Sequence, residues 1–364
     1  MAWTVFSLVY YGFPFPNTAY AKLAAVVPRA TFLQHGMTYF HVSLLRDLPS
    51  ISVLVIGTVL GLCHRGASRL LTAGILLHVI YIVWIGGDFM RGRFFSWDVL
   101  LSTILIWQTP LPTTPRWRGA VANGRCLLLL LAMTMCVWLP WRPPVLTPWV
   151  WGTPPFGAPD TAQGITQERN FYFRFTSLMR YWRKHDTLLL AHGWCVDSQE
   201  QLRRGIPVTL ANTMGFRGYC LGTQATVIDW LGITDPLLAR MPKNPQQQNW
   251  RPGHTQRLLP DGYCTSVLHH DNRFTDPQWR ALYHELTLLT QSPDLFSRDR
   301  WRAIWQFNTG AHDDDWRAAE HALLTRANLP DGKHWQQQAR HDCPTIELPP
   351  ATLEQLKSVN PDTD

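Results

Sequence analysis

The chain has 364 residues, of which 46% are hydrophobic, 12% aromatic and only 16% charged, with a formal net charge of +7. Globular chains usually carry about 25% charged residues, and this composition excludes a disordered, collagenous or coiled-coil protein. The charge is unevenly divided: residues 1–150 hold 11 Lys and Arg against 3 Asp and Glu, residues 151–364 hold 22 against 23. A nucleic-acid binder would cluster Lys and Arg on a soluble face. A basic, carboxylate-poor half joined to a neutral half instead has the profile of a membrane half followed by a soluble half.

In chain order, Ala2–Phe15 is an apolar stretch too short to cross a bilayer alone. It lacks a basic n-region and a small-residue cleavage site, so it reads as the stump of a longer hydrophobic segment and not as a signal peptide. Tyr10–Lys22 then combines aromatics, two prolines, an amide and one lysine. Four apolar runs follow: Ile51–Cys63, Leu70–Ile85, Val99–Trp107 with its aromatic lead-in Phe94–Trp97, and Cys126–Trp141. Each is shorter than the roughly 20 residues that span a bilayer core. Together they carry almost no charge, their loops are short and Arg-bearing, and Trp or Tyr lies near several ends, as interfacial anchors do. The expectation is four spans.

Even parity places the segment before Leu48 and everything after Trp141 on one side. The loop His64–Arg69 carries two Arg and Gln108–Arg125 three, against Arg46, Arg91, Arg93 and Arg142 opposite. That balance assigns the two loops to the cytoplasm and the soluble half to the periplasm or exterior. His78 falls inside a span, where an ionisable group is expensive and is by default a functional candidate; Asp98, near the head of another, reads as structural.

Arg142–Pro159 is Pro-dense and reads as an extended linker. Beyond it, Glu168–His185 has helical spacing of aromatics. Ile206–Asn212 and Ala225–Trp230 are β-like around a Gly-rich turn at Gly215–Gly222, and Arg280–Thr290, Arg298–Phe307 and Trp316–Ala327 look helical. The domain expectation is therefore an extracytoplasmic segment 1–47, a transmembrane region 48–142, a linker 143–159, a mixed α/β soluble domain 160–343 and a polar tail 344–364. Cys195, Cys220, Cys264 and Cys343 in the soluble half are even in number, which permits disulfides, and none forms a CxxC pair that would suggest zinc.

No nucleotide-cradle, serine-hydrolase or zincin motif is present. The stretch Gly86–Phe94 places Asp88 beside Arg91 and Arg93 at the end of a span. Two guanidiniums there can hold a lipid phosphate through charge-assisted bonds, and a carboxylate beside them can take a proton from a sugar hydroxyl. The alternative is that the arginines are interface anchors and Asp88 pairs with one. In the soluble half Asp229, Asp235, Arg240, Arg251 and His254 lie within 26 residues, with Trp230 and Trp250 available to stack on a sugar. The alternative there is that Asp229 and Asp235 cap turns around Gly232, Asp235 as the N-cap of a short helix from Pro236, and that His254 is a buried hydrogen-bonding residue.

Tyr10–Lys22 (YYGFPFPNTAYAK), Gly86–Arg93 (GGDFMRGR), Val227–Arg240 (VIDWLGITDPLLAR), Pro252-Gly253-His254 and Leu259–Tyr263 (LPDGY) resemble one family. They are similar, in the same order, to blocks of the polyprenyl-phosphate-dependent membrane arabinofuranosyltransferases of the GT-C superfamily, particularly the terminal β-(1→2) arabinofuranosyltransferases. The resemblance implies a GT-C-like polytopic inner-membrane protein with a periplasmic C-terminal domain, in agreement with the four helical spans and the α/β domain expected from the apolar runs and the spacing. It implies a polyprenyl-phosphate-linked pentofuranose donor, an arabinofuranose, and a cell-envelope glycan or glycoprotein acceptor, with no metal or cofactor. Tyr10, Tyr11, Asn17, Lys22, Arg91, Arg93, Asp229, Asp235, Arg240 and His254 become substrate-binding candidates, and Asp88 the candidate catalytic carboxylate.

Two departures stand out. Family members carry further membrane helices before the YYG block, with the catalytic aspartate in the first extracytoplasmic loop, whereas this chain has no Asp or Glu before Asp47. Where relatives tend to have an Asp-Glu-Arg block, it reads Thr166-Gln167-Glu168-Arg169. They keep open a second expectation: a non-catalytic membrane-anchored glycan-binding or accessory protein, or a truncated inactive homologue.

Overall fold

The computed structural model describes residues 2–23, 27–108, 165–166, 172, 182, 192–247 and 252–343. Within these, the first half runs α1 (Ala2–Tyr11), α2 (Asn17–Leu23), α3 (Arg29–Arg46), α4 (Leu48–Cys63), α5 (Ala67–Trp84) and α6 (Ser96–Gln108). The second half runs α7 (Gly193–Arg203), β1 (Val208–Ala211), α8 (Gly215–Leu221), β2 (Thr226–Asp229), α9 (Tyr263–His269), α10 (Pro277–Gln291), α11 (Arg298–Thr309), α12 (Asp313–Ala327) and α13 (Gly332–His341). The run Cys126–Trp141, the linker, the tail and all of Glu168–His185 except Tyr172 and Trp182 lie outside the described residues. Contacts divide the chain into two units, Val27–Arg174 and a second made of Met1–Val26 with Phe175–Asp364. The first 26 residues, grouped by sequence with the stretch up to Asp47, thus pack with the C-terminal half.

In the unit Val27–Arg174, helix ends follow local chemistry. Asp47 caps α4 by accepting from the Ser50 backbone N–H, and a proline stands in the first turn. Gly57 and Gly61, one turn apart on α4, face α6 and α5: an added Cβ would strike Ser102 at the first and Thr72 and Leu105 at the second. Small residues at such spacing let helix backbones approach closely. Tyr39, Leu54, Ile75, Ile82, Phe95 and Leu105 fill the interior. Outward, Leu70, Leu77 and Ile80 of α5 are more exposed than buried. Alone, α5 is long and apolar enough to cross a membrane; Arg29–Leu45 and Leu48–Cys63 pass the same test only together, with a 106° bend between them.

In the other unit, β1 and β2 pair in parallel, with Val208 opposite Thr226 and Ala211 opposite Asp229. Gly215–Gly222, expected as a turn, is instead the helix α8, ended by Gly222 at φ +60°. Parallel strands cannot be closed by a tight turn and need a crossover of a dozen or more residues, usually helical. Around the pair, α10 starts on Asp276, whose carboxylate accepts from Gln278 N and Trp279 N, with Pro277 at the first helical position. Its apolar face, including Trp279, Leu282, Leu286 and Leu289, joins Phe13, Ile228, Leu237, Phe274 and Leu323 in the core. Disulfides connect Cys195 of α7 to Cys220 of α8, and Cys264 of α9 to Cys343 just past α13.

Candidate functional site

The GGDFMRGR stretch is a turn wrapped on Tyr39. Gly86, Gly87 and Gly92 take φ of +83°, +64° and +77°, and a Cβ on Gly87 would stand 2.6 Å from that of Tyr39. Only glycine enters this region freely. The Tyr39 hydroxyl donates to the Met90 carbonyl at 3.2 Å and accepts from Phe94 N at 3.3 Å. Thr166, from the block that departs from the family pattern, clamps the same turn: Arg91 N donates to its carbonyl, and its N donates to the Phe89 carbonyl. Asp88 has no exposed surface and pairs with Arg93, Nε to Oδ2 at 2.6 Å, while the Arg93 side chain remains 42% exposed. The guanidinium also lies 5.7 Å from the Phe89 ring and 5.4 Å from the Phe94 ring. Deeper in the same unit, His78 Nδ1 meets both oxygens of buried Asp98 at 3.0 and 2.9 Å. These two ionisable residues of the apolar runs therefore satisfy one another.

Lys22 belongs to the other unit, where the YYG block is built into the core. The backbone of Tyr10 accepts from Arg300 Nη2 at 3.1 Å, that of Gly12 from Asn308 Nδ2 at 2.9 Å, and that of Ala21 from Arg257. Asn17 Nδ2 donates to the Thr234 carbonyl at 3.3 Å. The Arg240 guanidinium lies over Phe13 and Tyr20, 3.8 and 4.2 Å from their ring centres, and donates to the Pro236 carbonyl. Burial pushes its pKa down to about 10 without removing its charge at neutral pH. Tyr10 and Tyr11 leave about half their surface exposed. A Cβ on Gly253 would stand 3.4 Å from Cε of Lys22, so the PGH segment lies along the lysine stem. His254 is half-buried, its ring 3.4 Å from the Pro252 carbonyl. Trp250 and Arg251 lie outside the described residues.

Asp229 and Asp235 cap the turns on either side of Gly232. Asp229 accepts from Leu231 N at 3.0 Å and Thr234 N at 2.9 Å; Asp235 Oδ1 accepts from Leu237 N at 3.0 Å and Leu238 N at 2.8 Å. Asp235 does more than cap. Its Oδ2 accepts from the Tyr263 hydroxyl at 2.6 Å, and the two residues share the wall of a cleft of about 200 Å³ between β2 and α10. Burial raises the Asp235 carboxyl to about 6, against the bonds from Leu238 and Tyr263 that favour its charge, with the Asp229 charge adding to the rise. Burial and the Asp235 charge push the Tyr263 phenol well up. Sequence reasoning missed Tyr263, Arg257, Arg300 and Asn308 as members of these clusters. Tyr263 ends a block quoted for the resemblance; the other three bond backbone carbonyls, which leave no signature in the sequence.

No family model and no solved structure matches this chain. Over 196 residues it is 27% identical to the terminal beta-(1->2)-arabinofuranosyltransferase of Corynebacterium glutamicum, a match covering 48% of this chain and 26% of that protein. The chain is thus similar, over about half its length, to a glycosyltransferase, and spans about a quarter of the relative it matches.

Proposed function

We propose that this chain is a membrane glycosyltransferase, or a portion of one, that moves a pentofuranose from polyprenyl phosphate to a cell-envelope glycan or glycoprotein. The similarity to a glycosyltransferase supports the class. The observation that carries the reading further is convergence: blocks at Tyr10–Lys22, Val227–Arg240 and Leu259–Tyr263 are bound into one unit through Arg240, Arg257 and Tyr263. Transfer breaks the bond between the anomeric carbon and phosphate and forms one to an acceptor oxygen, whose proton must go to a base. Arg91 and Arg93 share one glycine-rich turn, which supports reading them as the cradle of the phosphate, with Asp88 as the partner that orients Arg93.

The lipid donor requires a membrane site. The apolar length of α5 and the outward Leu70, Leu77 and Ile80 support a membrane-embedded unit, which we read as a polytopic inner-membrane region of about four spans. Two disulfides in the other unit support its placement in the oxidising periplasm, as a mixed α/β domain.

Membranes containing the chain should transfer radiolabelled arabinofuranose from its polyprenyl phosphate to an arabinan oligosaccharide, and Arg91→Ala with Arg93→Ala should abolish transfer. Absence of transfer by fully expressed wild-type protein defeats the enzymatic reading. Burial of Asp88, which removes the turn's carboxylate from direct contact with substrate, favours a second reading, a non-catalytic membrane-anchored glycan-binding or accessory protein. Under that reading lipid phosphate and acceptor bind without turnover.

A further inference from the structure

We infer that the cleft between β2 and α10 is a binding subsite for an uncharged sugar ring at the end of a glycan, held by Asp235. The inference rests on the glycosyltransferase reading for the identity of the glycan, and on the cleft itself for its chemistry.

At about 200 Å³ the space suits one monosaccharide ring and is small beside the roughly 300–1,000 Å³ of pockets that take drug-sized ligands. Its lining includes Leu237, Val267 and Leu286 with the rings of Tyr263 and Tyr283, apolar surface of the kind that takes the C–H face of a sugar. Acceptors stand on its wall beside the Thr226 and Tyr283 hydroxyls and the Gln291 amide, a mixture that sugar hydroxyls, which both donate and accept, can meet. Asp235 is 7% exposed; its two oxygens offer about four lone-pair positions, of which Leu237 N, Leu238 N and Tyr263 occupy three. Thr287 and Thr290 spend their hydroxyl protons on the His284 and Leu286 carbonyls and keep lone pairs. No Lys, Arg or His is among the described lining residues, so a phosphate would meet a carboxylate and no counter-charge. A neutral ligand rich in O–H donors satisfies this wall, whereas the donor lipid does not. The chemistry of the cleft therefore suits the acceptor glycan and not the donor phosphate.

The test titrates the full chain in detergent, carrying Arg91→Ala and Arg93→Ala so that the arginine-bearing turn takes no phosphate, with methyl α-D-arabinofuranoside and, separately, with arabinose 5-phosphate, reading saturation transfer to the ligand by NMR. The neutral furanoside should bind with a Kd on the order of millimolar, and the phosphate at least tenfold more weakly. Asp235→Asn should weaken furanoside binding, and Thr287→Trp, which fills the cleft from the half-buried face of α10, should weaken it at least tenfold while the thermal transition is kept. Equal binding of the phosphate, no binding of the furanoside, or unchanged binding by Thr287→Trp overturns the inference. If Thr287→Trp protein transfers sugar with an unchanged KM for acceptor, the subsite falls and the transferase reading stands. If the furanoside binds as described but no transfer occurs, the subsite stands and the transferase reading falls.

Discussion

Arg300 donates Nη2 to the carbonyl of Tyr10 at 3.1 Å, across 290 residues of sequence. Its Nε and Nη1 go to the carbonyls of Leu289 and Leu295 at 3.1 and 2.9 Å, and the side chain is 1% exposed. One guanidinium thus fastens the end of α10, the approach to α11 and the YYG block. The clasp adds to the packing of Phe13, with Leu8 and Tyr20 against the same core, in joining the N-terminal segment to the C-terminal half.

Arg300→Ala removes those bonds together and leaves three carbonyls without this donor. Hydrogen bonds to charged groups contribute about 1.5–3 kcal/mol each, and an unsatisfied buried acceptor costs about 1–3 kcal/mol. A loss of about 3 kcal/mol or more is expected, read as a fall in Tm by intrinsic tryptophan fluorescence in detergent. Arg302→Ala is the control, since among the described residues it forms an exposed pair with Asp299 at 3.9 Å, and it should cost under about 1 kcal/mol. Equal Tm values for the two variants would remove Arg300 from its role as a clasp.

The helices of the second unit were legible because their apolar positions recur with helical spacing, as Trp279, Leu282, Tyr283, Leu286 and Leu289 do along α10. Their starts read late, at Arg280 and Trp316, because the Asp276-Pro277 cap and the three aspartates opening α12 were not used as start signals. Gly215, Gly218 and Gly222 spelled a turn, but the parallel register of β1 and β2, a long-range property, imposed a helix. The Gly57-xxx-Gly61 face was legible in principle as a close-packing signal. Pairings such as His78 with Asp98 were not, because 20 residues along the chain place no constraint on which helices meet.

The two disulfides are expected to differ in worth. Closing a loop removes entropy from the unfolded chain in proportion to the logarithm of its length. Cys264–Cys343 spans 79 residues and Cys195–Cys220 spans 25, a difference of about 1 kcal/mol in that model. Replacing Cys264 and Cys343 together by Ser should therefore lower stability more than replacing Cys195 and Cys220. Denaturant titration of both double variants checks the order, and peptide mapping of non-reduced protein must first find both links.

Asp235 should give the second unit a distinct pH dependence. Folded, its carboxyl takes up a proton near 6, against an ordinary value of 3.8. Below 3.8 both states are protonated; between 3.8 and about 6 the folded state alone keeps the proton. The stability this contributes is present at the acid end and is lost as pH rises through that window. Wild type should accordingly lose stability relative to Asp235→Asn between pH 4 and 6, with groups common to both proteins cancelling in the difference. A difference that stays flat across the window would mean that the carboxyl is not raised.

The last expectation concerns Asp88, whose sequence position beside two arginines suggests a base. A base must reach the acceptor hydroxyl within hydrogen-bond distance, yet Asp88 has no exposed surface and holds Arg93 at 2.6 Å. A carboxylate so placed is an electrostatic anchor: it holds the guanidinium while Gly86, Gly87 and Gly92 let the turn fold tightly. Breaking a fully buried pair costs about 3–5 kcal/mol, and less where one partner is solvated as Arg93 is at 42% exposure, whereas removing both partners is milder still. Arg93→Gln should thus destabilise the Val27–Arg174 unit more than Asp88→Asn combined with Arg93→Gln, giving a favourable coupling energy in a double-mutant cycle. The same variants separate the roles in function. If Asp88 positions Arg93, Asp88→Asn should weaken polyprenyl-phosphate binding, because the guanidinium loses its fixed direction, and any transfer should fall in step with that binding. If Asp88 is the base, Asp88→Asn should leave lipid affinity intact and lower the transfer rate by about 10²–10⁴-fold. Lipid titration alongside single-turnover transfer distinguishes the two, and intact affinity with lost chemistry would return Asp88 to the role of base.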